Sequence, residues 1–304
     1  RRISRWSRQN HRKSRMTFSQ ALTRLKTGQL GAGWMVVASL LFALMGVFVK
    51  TGSAHFSAIE LVFYRTLFGM LSIGVVVLAR GQSLATRHFS AHLKRGLFGY
   101  FSLLLYFYAI TQLPLATAVT LNYTSPMFLA GLSAWLLKET LGPRVVMSLG
   151  LGFAGVVLLL KPTFSADAWL AGAMGLGSGL FAGLAYLHVR ELGRLGEPEW
   201  KVVFYFTLIS TLCGLVMMLW QTPSPLGMES LGMLAGLGVT STLAQLAMTR
   251  AYRDGNKFVV ANLAYLTVVF SSALGAWLWG DVLPLEGYIA MGLIIVSGIF
   301  ASRR

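Results

Sequence analysis

Residues 123–141, YTSPMFLAGLSAWLLKETL, and residues 265–283, YLTVVFSSALGAWLWGDVL, align without a gap at a shift of 142. Tyr123 falls on Tyr265, Phe128 on Phe270, Leu132 on Leu274, Trp135 on Trp277 and Leu141 on Leu283. Each copy is an apolar run closed by an acid, Glu139 in the first and Asp281 in the second. Over residues 109–150, ten of 42 positions match at this shift, and a second likeness, Ser39-Leu-Leu-Phe42-Ala43 against Ser178-Gly-Leu-Phe181-Ala182, lies at the same place within its half. The chain repeats itself, so its fold turns on what one copy contains.

With 55% hydrophobic and only 12% charged residues among 304, and a mean hydropathy of +0.65, the chain is too apolar for a soluble surface, which takes about a quarter charged residues. A window of roughly 19 residues finds apolar runs near 31–50, 58–79, 96–112, 116–137, 145–160, 168–188, 202–220, 230–249, 258–279 and 286–302. The third and fifth are short for a bilayer core of about 30 Å, so local thinning or snorkelling is expected there. Five runs per copy is an odd number, which forces the second copy to enter the membrane the other way round. The expected fold is an all-α polytopic membrane protein of ten transmembrane helices, built as two inverted five-helix repeats over 31–161 and 168–302 behind a basic tail, 1–30.

Charge sets the orientation. Starting from a cytoplasmic N-terminus, 23 of the 26 Lys and Arg residues fall on the inside, including Arg80, Arg87, Lys94 and Arg95 in one loop; Lys50 and Lys161 fall outside and Arg65 within a span. Nine or eleven spans would scramble this bias, so both termini are expected in the cytoplasm. The net charge of +16 is therefore a topology signal with some attraction to anionic headgroups, and nucleic acid is not an expected partner. Residues 1–15, which precede Met16, read as cytoplasmic tail, as a misassigned start or, third, as an Arg-rich presequence.

The stretch YFYAITQLPLATAVTLNYTSPMFLAGLSAWLLKETLG (106–142), Glu60 and Arg65 of ELVFYRTLFGML, and AWLWGDVLPLEGYIAMGLIIVSG (276–298) together resemble the EamA-type members of the drug/metabolite transporter superfamily. The resemblance runs from about residue 31 to 302. It implies the same ten-helix, two-repeat fold and a protein that moves small organic molecules, often outward, in a bacterial inner membrane. It names no substrate, since that superfamily handles amino acids, cationic drugs, nucleotide-like metabolites, vitamins and siderophore-like compounds.

Candidate substrate contacts follow from polar groups placed where hydrocarbon would leave them unbonded. Asn122, Tyr123, Thr124, Ser125 and Pro126 interrupt the fourth run; Pro126 has no N–H for the helix ladder, and Asn122 and Ser125 share one helical face with Ala118, Leu129 and Ser133. The second copy offers Asn262, Tyr265 and Ser272. Two such faces related by the repeat axis would meet centrally. Ser39 and Phe42 on the first span, Tyr106 on the third, Tyr186 on the sixth, and Ser241, Gln245 and Thr249 at steps of four on the eighth join them. For each, the plainer alternative is a hydrogen bond between helices, about 0.6 to 2 kcal/mol, with no ligand involved.

Glu60 and Arg65 are the ionisable pair near membrane depth. Five residues apart on one helix they diverge by about 140°, so they are not expected to pair; Lys50 across a short hairpin is the expected partner of Glu60. Arg65 either snorkels, bonds loop carbonyls or meets an anion, and Glu139 and Asp281 read as boundary or gating contacts. Gly175, Gly179 and Gly183 are expected to let helices approach closely. Cys213 and the five histidines make no metal-site spacing, no cofactor is expected, and short loops without paired acids or a nucleophile–base set leave no candidate enzyme site. The expected function is a secondary transporter, with a channel or scaffold as the alternative; its partners are the lipid bilayer and a small-molecule substrate, and homodimerisation is left open.

Overall fold

The computed structural model describes residues 18–125, 127–128, 131–132, 143–160, 168–254 and 263–302, and among them there is helix and connection but no strand. The helices are α1 Phe18–Gly52, α2 Ala58–Ala79, α3 Phe89–Gln112, α4 Leu115–Asn122, α5 Pro143–Leu160, α6 Trp169–Arg194, α7 Glu199–Met218, α8 Met228–Asp254, α9 Leu266–Trp279 and α10 Leu285–Ser302. Each overlaps one of the apolar runs. Among the described residues, five segments are long and apolar enough to cross a membrane: Gly33–Gly52, Ala58–Ala79, Trp169–Arg194, Glu199–Met218 and Met228–Ala251. Leu78, Met147, Phe153, Leu219 and Trp277 stand 66% to 79% exposed on the outer face, an apolar surface that suits lipid and not water.

Local chemistry fixes the helix ends. Ser57 and Glu60 form a capping box on α2: the Glu60 N–H donates to Ser57 Oγ at 3.3 Å and the Ser57 N–H to Glu60 Oε2 at 2.8 Å. Pro114 and Pro198 precede α4 and α7, and Pro143 is the first residue of α5, positions where a missing N–H costs nothing. Gly280 ends α9 in the left-handed region at φ 66°, which a side chain would resist.

The third run departs from its expected limits. It reads as a short span from residue 96, yet α3 starts at Phe89, so His92, Lys94 and Arg95 belong to the helix. A hydropathy window sees three cations and closes the span. The helix carries on because His92 and Arg95 are buried against neighbouring helices, 0% and 8% exposed.

Packing runs between the halves of the chain. α1 lies along α8, α3 along α6, α5 along α10 and α2 along α7, while α4 touches both α6 and α9. α3 also meets α7, α2 meets α8, and α1 meets α9. The shared core places Phe107 and Ile110 of α3, Leu115 and Leu121 of α4, Leu237 of α8 and Ile294 of α10 out of reach of any solvent. Between α5 and α10 the hydroxyls of Ser148 and Ser297 each donate to the other residue's carbonyl, at 2.5 and 2.6 Å. Glycines Gly175 and Gly179 press α6 onto the end of α4. A Cβ at 175 would touch Leu121, and one at 179 would meet the Thr124 hydroxyl and the carbonyls of Leu121 and Asn122.

Candidate functional site

The interruption in the fourth run becomes the wall of a cavity. α4 stops at Asn122, and a turn at Tyr123–Thr124 follows, in which the Thr124 hydroxyl donates to the Leu121 carbonyl at 2.6 Å. Pro126 itself lies outside the described residues. Asn122, Tyr123 and Ser125 are thereby presented to a space of about 120 Å³ bounded by α1, α2, α3, α6, α7, α8 and α9. Of the other expected contacts, Phe42, Tyr106, Tyr186 and Gln245 line it, and so does Arg65.

Hydrogen bonds set the geometry of this wall. Asn122 Nδ2 donates to Ser178 Oγ at 3.0 Å, and Ser178 Oγ donates to the Gly175 carbonyl at 2.5 Å, so the amide is held by α6. Ser102 Oγ donates to the Ser178 carbonyl at 2.9 Å, bringing α3 to the same point. Tyr123 OH donates to Thr267 Oγ1 at 2.8 Å, which ties the α4 turn to the first turn of α9. The Tyr123 ring leans on that of Tyr265, with centroids 6.0 Å apart. Gln245 Oε1 is buried with no hydrogen-bond partner among the described residues.

Several expected contacts lie elsewhere. Ser39 is fully buried and donates to the Leu263 carbonyl at 3.2 Å, so it joins helices and does not reach the cavity. Ser241 closes on the Gly238 carbonyl of its own helix at 3.0 Å and lines only a crevice of about 10 Å³ beside Arg65. Tyr265 stands behind Tyr123 and is 4% exposed. Thr249 and Ser272 bond back to the carbonyls four residues before them. Asn262 and Glu139 lie outside the described residues.

The charges are corrected in one respect. Lys50 does not meet Glu60. Its Nζ lies 2.7 Å from Asp281 Oδ2, an ion pair between the ends of α1 and α9 in which Asp281 also accepts the Leu115 N–H at 3.4 Å. Glu60, 3% exposed, is consumed by the capping box and by Ser224, which donates its N–H at 2.7 Å and its hydroxyl at 3.0 Å. It thus pins the α7–α8 loop to the start of α2. As expected, no ion pair joins Glu60 to Arg65 among the described residues.

Arg95 was missed because it was placed in a loop. On α3 it heads a face, Arg95, Gly99, Ser102, Tyr106, whose steps of four, three and four residues all line the cavity. That periodicity was available in the sequence; the charge hid it. The Arg95 guanidinium sits over the Phe206 ring at 4.2 Å, and Arg65 over Phe107 at 5.8 Å. Both arginines are buried, 5% exposed for Arg65 and 8% for Arg95, and Nε and Nη1 of each have no hydrogen-bond partner among the described residues. Among the described residues, no Asp or Glu lines the cavity.

Beyond the short end of α3, Glu197 gathers a second polar cluster. Thr86 Oγ1 donates to it at 2.6 Å, and Lys201 Nζ and His92 Nε2 each lie 3.7 Å from its Oε2. Burial pushes the Glu197 carboxyl up, but the Thr86 hydroxyl and the Lys201 and His92 charges outweigh burial and hold it below the usual carboxylate value. No three His, Cys, Asp or Glu residues gather as a metal site among the described residues.

Comparison with known proteins places this arrangement. Residues 29–161 match the EamA-like transporter family. The pseudopaline exporter of Pseudomonas aeruginosa is 33% identical over 283 residues, covering 93% of this chain and 98% of that protein. The chain belongs to the EamA-like transporter family. A riboflavin transporter of Vibrio cholerae is 28% identical, over 90% of this chain and 93% of its own. A crystal structure shares the fold with a TM-score of 0.64 at 21% identity, covering 90% of this chain and 96% of that one. This EamA-like protein is therefore an integral, multi-pass membrane protein and a transporter of small molecules, not an enzyme.

Proposed function

We propose that this EamA-like transporter exports small organic metabolites, amino-acid-like, amine or vitamin-like, across a bacterial inner membrane by alternating access around the cavity described above. The exporting direction draws on the Pseudomonas aeruginosa relative, whose name is that of an exporter. Ten spans in two inverted repeats, 31–161 and 168–302, with both termini and the tail 1–30 in the cytoplasm, complete the reading. Asn122, Tyr123, Ser125, Phe42, Tyr106, Tyr186 and Gln245 act as substrate contacts, with Asp281 and Lys50 at the outer boundary.

The observation that carries it is the way the halves share the cavity. Exchanging α1–α5 with α6–α10 maps the α1–α8 pair onto α6–α3, α3–α7 onto α8–α2 and α4–α6 onto α9–α1, and leaves α2–α7, α4–α9 and α5–α10 unchanged; every one of these pairs is in contact. Ser39 and Ser178 also play matching parts, one bonding Leu263 and the other Asn122 at the corresponding ends of the repeated segment. Two like halves meeting around one site can rock between two faces of a membrane.

Counterflow in proteoliposomes tests this. A carrier gives saturable entry of labelled glutamate or riboflavin that unlabelled compound on the far side accelerates. Entry that rises linearly with concentration and ignores the far side is the mark of a channel, and would replace the carrier reading.

A further inference from the structure

We infer that the cargo is an organic anion carrying at least two carboxylates, held between the guanidinium groups of Arg65 and Arg95; the inference rests on the reading of the cavity as the transport site. Both side chains reach the same space from different helices, Arg65 from α2 and Arg95 from α3. Each is more than nine-tenths buried, and each keeps Nε and Nη1 without a partner among the described residues. Arginine does not shed its charge inside a protein. Two uncompensated cations in one small, weakly polar space repel each other and have lost their water. The faces of Phe107 and Phe206 offset part of that cost, but a ring face leaves Nε and Nη1 unbonded among the described residues.

What the forks fit is planar, acidic and bidentate. A guanidinium presents parallel N–H donors that match the two oxygens of a carboxylate. Two forks on two helices call for two separate acidic groups. The body of such a molecule finds Tyr106 and Tyr186 beside the arginines, and its amine or hydroxyl finds Gln245 Oε1, a buried acceptor still lacking a donor. A simple amine would bring a third positive charge, with no carboxylate among the described residues of the wall to receive it, so within this inference the acids are favoured over the amine-like cargo. A lipid phosphate offers one anionic group, which satisfies one guanidinium and leaves the other unpaired.

Thermal unfolding of the full chain in neutral detergent, followed with iminodiacetate, glutamate and citrate, is the test. A ligand that binds only the folded protein raises its melting temperature with concentration. Iminodiacetamide, with both carboxylates replaced, and glutamine, with one of glutamate's two replaced, serve as the matched compounds, and glycerol 3-phosphate and phosphatidylglycerol as the alternative anions. The expected result is stabilisation by the carboxylates, with apparent affinity about tenfold weaker for each carboxylate–guanidinium pair lost. R65M and R95M are expected to melt at or above the wild-type temperature without ligand, because an unpaired buried charge has been removed, and each to need about tenfold more ligand for the same response. A merely structural arginine gives the opposite pair of results: lower melting with the response intact.

The inference is overturned if the amides stabilise as well as the acids, if glycerol 3-phosphate or phosphatidylglycerol alone does so, or if no carboxylate acts. It also falls if R65M and R95M keep the wild-type response. Counterflow separates this from the transport reading. Saturable, far-side-accelerated movement of uncharged riboflavin without any carboxylate response leaves the carrier and removes the anion site. A carboxylate response that depends on both arginines, with no counterflow of those acids, keeps the anion site and removes the carrier.

Discussion

Tyr123 and Tyr265, matched residues of the internal repeat, meet ring to ring with centroids 6.0 Å apart, and the Tyr123 hydroxyl donates to Thr267 at 2.8 Å. Each half of the chain thus contributes one tyrosine to a contact at the edge of the cavity. They are equivalent in sequence but not in environment, since Tyr123 lines the space and Tyr265 backs it.

Removing the Tyr123 hydroxyl separates these roles. Y123F should cost about 0.6 to 2 kcal/mol through the lost Thr267 bond and should change the apparent affinity for cargo. Y265A removes a buried ring and should cost about 3 to 5 kcal/mol, with a lower melting temperature as its first sign. Melting curves and counterflow on both proteins check this. Equal loss of stability in the two would show that the tyrosines are interchangeable packing.

The Lys50–Asp281 pair joins α1 to α9 with both side chains 18% exposed, so it is part-solvated. A double-mutant cycle on K50A and D281A should give a coupling of about 1 kcal/mol, and the reversed pair K50D/D281K should recover part of the stability lost by each single change. Additive losses, with no recovery on reversal, would mean that the contact seen here does no energetic work. D281A should be the worse single variant, because Asp281 also receives the Leu115 N–H at the start of α4.

Much of this was legible in the chain. The helix positions follow broadly from hydropathy, and the polar break at Asn122–Ser125 marked a helix end at the cavity, because polar groups in hydrocarbon need partners. Partnerships across the fold were not. Lys50 finds Asp281 across 231 residues, where local spacing favoured Glu60, and Glu60 was already satisfied by its own helix end and by Ser224. Ser39 carried the same signal as Asn122, a hydroxyl in an apolar run, and turned out to bond a carbonyl on the segment before α9. A sequence shows that a polar group needs a partner; only packing shows whether that partner is protein or cargo.

Acid should loosen the link between α3 and α7. The Glu197 carboxyl titrates below its ordinary value in the folded protein, so it binds protons less readily than in the unfolded chain. Its contribution to stability is therefore fully present above about pH 4.3 and is lost as pH falls through the lower folded value. E197Q should flatten the acid side of the stability profile and leave the neutral side, offset downward, parallel to wild type. Denaturant midpoints between pH 3 and pH 7, on the order of one point per half unit, check it; an unchanged acid slope in E197Q would assign the effect to another carboxylate.

Gly99 tests the site from the scaffold side. The Arg95 guanidinium folds back along α3 into the space beside Gly99, where a Cβ would collide with Arg95 Nη1 and lie 2.8 Å from the Phe206 ring. Alanine favours a helix by about 1 kcal/mol over glycine, so G99A gains locally and loses by crowding. The side chain freest to move is Arg95, which has no hydrogen bond at Nε or Nη1 to hold it. G99A should therefore change the melting temperature little while weakening the response to dicarboxylates by about tenfold, as removal of Arg95 does. G99A combined with R95M should be no worse than R95M alone in ligand response, since both act on one guanidinium. Independent, additive losses in the double variant would place the effect of Gly99 on the helix and not on Arg95.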